Sequence, residues 1–450
     1  MTLAPQVFKA YDVRGLYGEE IDEAGAEQVG RAFVAVTGAR RVCVGHDVRL
    51  SSPSMAAAFC DGVTRAGADV TELGLAATEM VYYAVAEGGY DAGAAITASH
   101  NPPQYTGAKL VLAGALPLSG DSGIGEVGRV ARAGGMADAA TPGSRSVDDG
   151  LLGRFVDACL GMVDPSRITG LRVVLDAANG MAGVYLPPAL ERLGIDAVPC
   201  FLDPDGRFPN HEPNPLLEEN RQFIEGKVVQ ERADLGIAFD GDADRCFFID
   251  ETGEFVAGDF LTALLARHLI DRYGPATVVY DLRASWAVRD TILAAGGTPD
   301  EFRVGHAFIK RRMREVDALF AGEVSGHYYF RDFSYADSGL IPALLVMELL
   351  AERGQTMSSL IAELRAKYHI SGEINSTVPD AGAALARLRE RYADGRQAEI
   401  DGLSVSYDDW HFNVRPSNTE PLLRLNLESL VSEADMERRR DEVLAVIREG

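Results

Sequence analysis

The sequence predicts an α/β protein of several domains: three related α/β domains with mixed, mainly parallel sheets, then a smaller C-terminal α+β domain. Three observations carry this reading. The chain has 450 residues, too many for one ordinary hydrophobic core. A strand–helix–strand unit recurs three times along it. Beyond about residue 370 the pattern changes to alternating strands closed by an amphipathic helix.

The repeated unit opens with a short β-branched strand ending at polar residues: Arg41–Asp47, Leu171–Asp176 and Ala276–Asp281. A helix-like stretch follows each, and a Gly-containing turn leads to a second strand at Gly67–Leu73, Gly194–Cys200 and Gly296–Val304. Continuous apolar strands alternating with helices belong to sheets covered on both faces, whose ligands sit beyond the strands' carboxyl ends. Pro117–Gly150 is rich in Gly, Ala, Asp and Ser; apart from a helical stretch at GEVGRVARAGG it reads as a linker. Leu340 to Tyr368 carries two helix-like runs. In the last segment Asp401–Asp408 and Leu422–Leu427 alternate as half-exposed strands, and Ser432–Glu449 is the closing helix. The expected domains are residues 1–148, 149–252, 253–369 and 370–450.

Composition narrows the function. Hydrophobic residues make up 47% and charged residues 24%, the profile of a soluble globular chain. The formal charge of -24 repels nucleic acid and anionic membranes, and no apolar run is long enough to span a bilayer. It also repels phosphorylated small molecules, so a phosphate site here must be a local concentration of Arg, Lys, amide N–H and metal. Cys43, Cys60, Cys159, Cys200 and Cys246 have no metal-ligand spacing and sit mostly in apolar surroundings. Reduced, buried thiols and an N-terminus without a signal peptide's apolar stretch make the cytoplasm the expected compartment.

Four stretches carry chemistry. TASHNP (Thr97–Pro102) follows the apolar run AGAAI and places Ser99 at a strand end, with Lys109 further along. A serine hydroxyl needs a base, a metal or a bound charge to act as a nucleophile; otherwise Ser99 caps a loop. DGDADR (Asp240–Arg245) is the strongest signal. Asp240, Asp242 and Asp244 alternate, so in an extended stretch they face one way, and only a cation makes such crowding tolerable. Hard carboxylate ligands suit Mg²⁺, and Arg245 adds a forked donor for a phosphate or sugar oxygen; the bland alternative is a solvated acidic turn. In GEVSGH (Gly322–His327), Glu323 and Ser325 alternate as candidates for holding sugar hydroxyls, and His327 can move a proton. RPSNTEP (Arg415–Pro421) gathers Arg415, Ser417, Asn418 and Thr419 in a turn that suits a phosphate, or is only a capped turn. Lesser candidates are Tyr11, Arg14, Arg283 (in a position that Arg49 echoes in the first unit) and His306; Lys310 to Arg312 read as a solvated face.

Together these loops resemble those of the α-D-phosphohexomutase superfamily, closest to its bacterial phosphomannomutase/phosphoglucomutase branch, in order and spacing from YDVRG to RPSNTEP. The resemblance implies four domains around a central cleft. It implies a phosphoserine at Ser99, and Mg²⁺ held by Asp240, Asp242, Asp244 and a phosphate oxygen on that serine. Glu323 and Ser325, with Arg283, would bind the sugar, and Arg415, Ser417, Asn418 and Thr419 the distant phosphate. Lys109, Arg245, His306, His327, Tyr11 and Arg14 would line the reacting side. The implied reaction moves a phosphoryl group between C1 and C6 of mannose or glucose phosphate, primed by glucose or mannose 1,6-bisphosphate. The implied partner is a small phosphosugar, and the chain a monomer or small homo-oligomer. The branch usually has Met where this chain has Val324, and Gln there in glucosamine-phosphate enzymes, so Val324 leans away from the latter. Relatives commonly carry Lys at the place of Arg283, which keeps the charge and changes its geometry. A phosphoglucosamine mutase, a metal-dependent phosphosugar phosphatase and a non-catalytic phosphosugar-binding protein are the competing readings.

Overall fold

Strands Arg41–His46, Thr169–Asp176 and Thr277–Asp281 each start a parallel βαβ unit, paired respectively with Asp69–Leu75, Gly194–Cys200 and Thr298–Phe302. The structure, a computed structural model, describes residues 2–416 and 422–449. The chain divides into two compact units, Met1–Val256 with Ser325–Met357, and Ala257–Val324 with Ser358–Gly450.

The first unit holds two mixed sheets. One has seven strands, ordered Val13–Leu16, Tyr105–Leu112, Ala92–Ile96, Arg41–His46, Asp69–Leu75 and Arg145–Val147, with Leu116–Pro117 added beside Tyr105–Leu112. Ala92–Ile96 and Asp69–Leu75 flank Arg41–His46 in parallel, while Tyr105–Leu112 runs antiparallel. The other sheet runs Phe255–Val256, Cys246–Asp250, Leu235–Phe239, Thr169–Asp176, Gly194–Cys200. AGAAI and LGIAF are buried at every position, as strands covered by helices on both faces must be. Helix Glu23–Thr37 is capped by the Asp22 carboxylate, which accepts from Gly25 N–H at 2.8 Å. It packs backbone to backbone on helix Ser52–Arg65: a Cβ on Gly62 would stand 2.1 Å from the Glu27 carbonyl oxygen, so only glycine allows this approach.

In the second unit, Thr277–Asp281 lies parallel between Thr298–Phe302 and Phe320–Gly322. The C-terminal sheet is antiparallel, running through Leu422–Ser429, Trp410–Pro416, Leu403–Ser406 and Arg396–Ala398. Its inward residues, Phe412, Val414, Leu423, Leu425 and Leu427 among them, form one core with helices Ala381–Arg391 and Glu433–Arg448.

Most of these elements stand where the periodicity puts them. The exception is the linker, where Ile124–Ala133 is helical as expected but Arg145–Val147 joins the first sheet beside Asp69–Leu75. All three of its residues are exposed, so no hydrophobic alternation marks it. All five cysteines are buried and unbridged. Among the described residues no helix is long and apolar enough to cross a membrane.

The strand-ending aspartates share a turn. Asp47 accepts from Arg49 N–H, Asp176 from Ala178 N–H and Asp281 from Arg283 N–H. Arg49 and Arg283 also supply the counter-charge, but the second unit of the repeat has no arginine there. His211 replaces it, with Nε2 at 3.0 Å from Asp176 Oδ2. Burial alone would lower the His211 pKa; the Asp176 carboxylate outweighs it and raises the value. A raised folded-state pKa adds stability that is fully present below the unfolded value of roughly 6.5 and is lost as pH rises through the folded value. Urea midpoints of wild type and His211→Gln should therefore differ more at pH 6 than at pH 9; a gap that is constant or widens with pH would contradict the pairing.

Candidate active site

The buried strand Ala92–Ile96 delivers Ser99 at its carboxyl end. Ser99 has φ +52°, a left-handed conformation that costs a residue with a Cβ about 1 kcal/mol or more unless its surroundings impose it. Its Oγ stands 3.1 Å from His100 Nδ1 and 3.4 Å from Asp240 Oδ2. From the edge strand Val13–Leu16, beyond Tyr105–Leu112, Arg14 Nη1 donates to Asn101 Oδ1 at 2.7 Å and also pairs with Asp12.

Strand Leu235–Phe239 delivers the acidic loop, and Asp240, Asp242 and Asp244 have no exposed surface. They converge by a route different from the extended alternation expected. The loop is a turn, with Ala243 at φ +62°, that folds the three carboxylates toward one point. One oxygen of each lies within 4.8 Å of those of the other two. Gly241 belongs to the same fit, because a Cβ there would meet the Ser99 carbonyl oxygen at 2.5 Å.

Such crowding needs cations. Two unit charges 4 Å apart interact by about 4 kcal/mol at an effective dielectric of 20. Lys109 Nζ, projected from strand Tyr105–Leu112, donates to Asp242 Oδ2 at 2.7 Å and to Asp244 Oδ2. Arg245 Nε donates to Asp240 Oδ2 at 2.8 Å. Burial pushes the Asp240 pKa up to about 7 against the pull of Arg245. For Asp242 burial and Asp244 also oppose ionisation, but Lys109 and the Thr78 hydroxyl, which donates at 2.5 Å, bring its value down. Burial works against the Lys109 charge too, yet the two aspartates raise its pKa.

The donor set fits a hard divalent cation. Three buried carboxylates face two fixed cations, and Asp242 Oδ1, also buried, has no hydrogen-bond partner among the described residues. That leaves a full carboxylate oxygen for a metal of the Mg²⁺ type. His327 Nε2 lies 3.6 Å from Asp244 Oδ1, and its Nδ1 is 3.0 Å from Ser325 Oγ, so Ser325 and His327 stand beside the acidic loop.

The second unit gathers the other candidates. Arg283, buried, donates from Nε and Nη2 to Asp281, both at 2.9 Å, and from Nη1 to Glu373 at 3.1 Å. Arg424 Nη1 lies 3.0 Å and Arg415 Nη2 3.5 Å from the same Glu373 carboxylate. Burial opposes the Glu373 charge, but Arg283, Arg424 and Arg415 hold its pKa below the usual range. Burial and the adjacent Arg283 lower that of Arg415. Three guanidiniums converge on Glu373, one of them also held by Asp281, so the cluster concentrates forked donors of the kind an anion needs. Glu323, buried, accepts from Gly305 N–H at 2.9 Å, which joins it to the turn that starts helix His306–Val316. His306 is buried at the first position of that helix. Lys310, expected on a solvated face, is instead buried: it lies on the inward side of the helix with Ile309 and Met313. Ser417, Asn418 and Thr419 lie outside the described residues.

Several residues escaped the sequence reading. Thr78 reaches Asp242 from a helix far away in sequence, so nothing local marks it. Glu373 sits between elements without a recognisable motif, and His100 and Asn101 read only as parts of a turn.

Three α/β domains followed by a C-terminal α+β domain, carrying these loops in this order, are the architecture of a phosphosugar mutase. Residues 5–126, 154–253 and 257–368 match the alpha/beta/alpha domains I, II and III of phosphoglucomutase/phosphomannomutase, and residues 373–446 match its C-terminal domain. The chain is 43% identical over 450 residues to a phosphomannomutase of Salmonella montevideo, covering 98% of both chains. It is 41% identical over 444 residues to a protein of Xanthomonas campestris named phosphohexose mutases, covering 98% of this chain and 99% of that one. A crystal structure of a phosphoglucomutase/phosphomannomutase family protein from Burkholderia thailandensis superposes with a TM-score of 0.89 at 33% identity, covering 99% of this chain and 98% of that one. The chain belongs to the phosphoglucomutase/phosphomannomutase family, within the α-D-phosphohexomutase superfamily. Its reaction class is the reversible phosphoryl transfer of that superfamily.

The acidic loop makes metal binding measurable without turnover. Mg²⁺ should raise the melting temperature of wild type and have little effect on Asp242→Asn. Lys109→Met, which leaves two buried carboxylates uncompensated, should lose about 3–5 kcal/mol of metal-free stability and regain more on adding Mg²⁺ than wild type does. Equal Mg²⁺ shifts in wild type and Asp242→Asn would remove Asp242 from the metal site.

Proposed function

We propose that the chain interconverts the 1- and 6-phosphates of a hexose, mannose or glucose, through a phosphoserine at Ser99 and a hexose 1,6-bisphosphate. One observation carries this reading: the Ser99 hydroxyl lies 3.4 Å from a carboxylate of a buried acidic cluster that has a cation-binding oxygen to spare. A hydroxyl held there suits a temporary phosphoryl carrier.

Asp240, Asp242 and Asp244 would hold the Mg²⁺, which when bound offsets charge on the transferring group. Lys109 and Arg245 are positive charges already directed into the loop, and Arg14, through Asn101, tethers the loop bearing Ser99. His327 is assigned to hold or move a proton at a sugar hydroxyl, a role its closeness to Asp244 and Ser325 supports. Tyr11 and His306 are assigned to the same reacting side. Glu323, Ser325 and Arg283 are assigned to the sugar. Arg415, with Ser417, Asn418 and Thr419, is assigned to the distant phosphate, and the forked donors around Glu373 support an anion there. One anchor must serve both orientations of the bisphosphate, which suits a clamp separate from the chemistry. We assign the four working segments to residues 1–148, 149–252, 253–369 and 370–450.

The test is direct. With Mg²⁺, a trace of hexose 1,6-bisphosphate and mannose or glucose 1-phosphate, wild type should form 6-phosphate with little inorganic phosphate released. Ser99→Ala should lose about a thousandfold or more in kcat/KM while keeping the wild-type melting temperature. Undiminished activity in Ser99→Ala would overturn the phosphoserine assignment, and stoichiometric phosphate release would make the protein a phosphatase.

A further inference from the structure

Arg49 lies outside every stretch to which chemistry has been assigned, yet it is completely buried. A buried guanidinium is tolerated only when its donors are satisfied and its charge is balanced. Arg49 meets both conditions in one place. Nε donates to Asp47 Oδ2 at 3.1 Å. Nη1 donates to the carbonyls of Pro102 at 2.7 Å and Tyr105 at 3.3 Å. Nη2 donates to the carbonyls of Ser99 at 2.7 Å and Asn101 at 2.5 Å. A guanidinium has five N–H groups, and all five are used, four of them on the backbone of the loop that carries Ser99.

Its partner Asp47 reaches the same residue from the other side. Asp47 Oδ2 accepts from Thr97 Oγ1 at 2.7 Å, and Thr97 Oγ1 accepts from Ser99 N–H at 2.9 Å. Both backbone polar groups of Ser99 thus end on this ion pair, its carbonyl directly and its N–H through Thr97. Ser52 Oγ and Arg49 N–H occupy the remaining Asp47 oxygen. This grip accounts for the left-handed φ of Ser99, which nothing in its own side chain favours.

We propose that Arg49 is a positioning residue for the nucleophile: paired with Asp47, it holds the Ser99 peptide in its left-handed conformation and so aims Oγ at the acidic loop. Arg49 does not touch the reacting atoms and acts through the loop backbone. The geometry of a planar fork is needed, not charge alone. Lysine, with three donors on one nitrogen, cannot span carbonyls from Ser99 to Tyr105. Arg283 shows the same device in the second unit, where it spends three bonds on Asp281 and has one nitrogen left for Glu373. In Arg49 no donor remains for a ligand.

The kinetic half of this inference rests on the mutase reading; the structural half does not. Amide exchange of a peptide covering residues 97–107 should be about tenfold faster in Arg49→Lys than in wild type, with helix Ser52–Arg65 unchanged. In rapid-quench experiments, transfer from phosphorylated enzyme to hexose monophosphate should fall about a hundredfold in Arg49→Lys, the scale of a misaimed reactant, with KM within about threefold of wild type. Thr97→Val, which cuts the link from Asp47 to the Ser99 N–H, should move both readouts the same way and serves as the test if the arginine variant does not fold. Wild-type loop protection in the folded variants would overturn the proposal, as would a wild-type transfer rate in them. If wild type transfers no phosphate at all, the mutase reading falls, and the exchange comparison alone decides whether Arg49 orders the loop.

Discussion

Three carboxylates from one short loop are buried around a point close to a serine oxygen, and much of the first unit answers that constraint. Ionised and unaccompanied, they would repel one another by several kcal/mol. Lys109 is brought in from the middle of strand Tyr105–Leu112 and Arg245 from the end of the acidic loop itself to balance them, and Thr78 comes from a helix to satisfy an oxygen of Asp242. Two cations against three anions is an incomplete match, and the orphaned Asp242 oxygen shows where the shortfall lies. A site left short of positive charge in this way suits a divalent cation.

The same constraint explains the backbone. Ser99 and Ala243 both adopt left-handed conformations although neither is glycine, while Gly241 between them lets the two loops approach. Strain of this kind persists only where surrounding contacts over-determine it. Around Ser99 those contacts are the buried Arg49 and Asp47, a pair that follows its strand as Arg283 and Asp281 follow theirs in the second unit. One turn has therefore been used three ways. It grips the loop that carries Ser99 in the first repeat. It is charge-balanced by His211 in the second and joins the arginine cluster around Glu373 in the third.

The negative surface and the phosphosugar chemistry are reconciled locally. A net charge of -24 opposes an anionic ligand at a distance. Arg283, Arg415 and Arg424 share a single carboxylate, and Lys109 and Arg245 are already directed at the acidic loop. Short-range, desolvated donors outweigh a screened long-range field.

Local chemistry was legible without coordinates. The period of hydrophobic residues marked the repeated βαβ units and the different final segment, and DGDADR pointed to a cation, with a solvated acidic turn as the alternative, because crowded carboxylates cost energy unless neutralised. Family resemblance then tied Ser99 to that loop. What sequence could not show depends on residues distant along the chain meeting in space. Thr78 and Lys109 on Asp242, His211 on Asp176, Glu373 among three arginines and Arg49 beneath Ser99 carry no local signature. Even the aspartates converge through a left-handed turn at Ala243, where a strand's alternation was the natural expectation. Periodicity and residue type record which side chains a segment presents. Which of them share an oxygen is decided by packing, since a hydrogen bond depends on distances that only the folded chain sets.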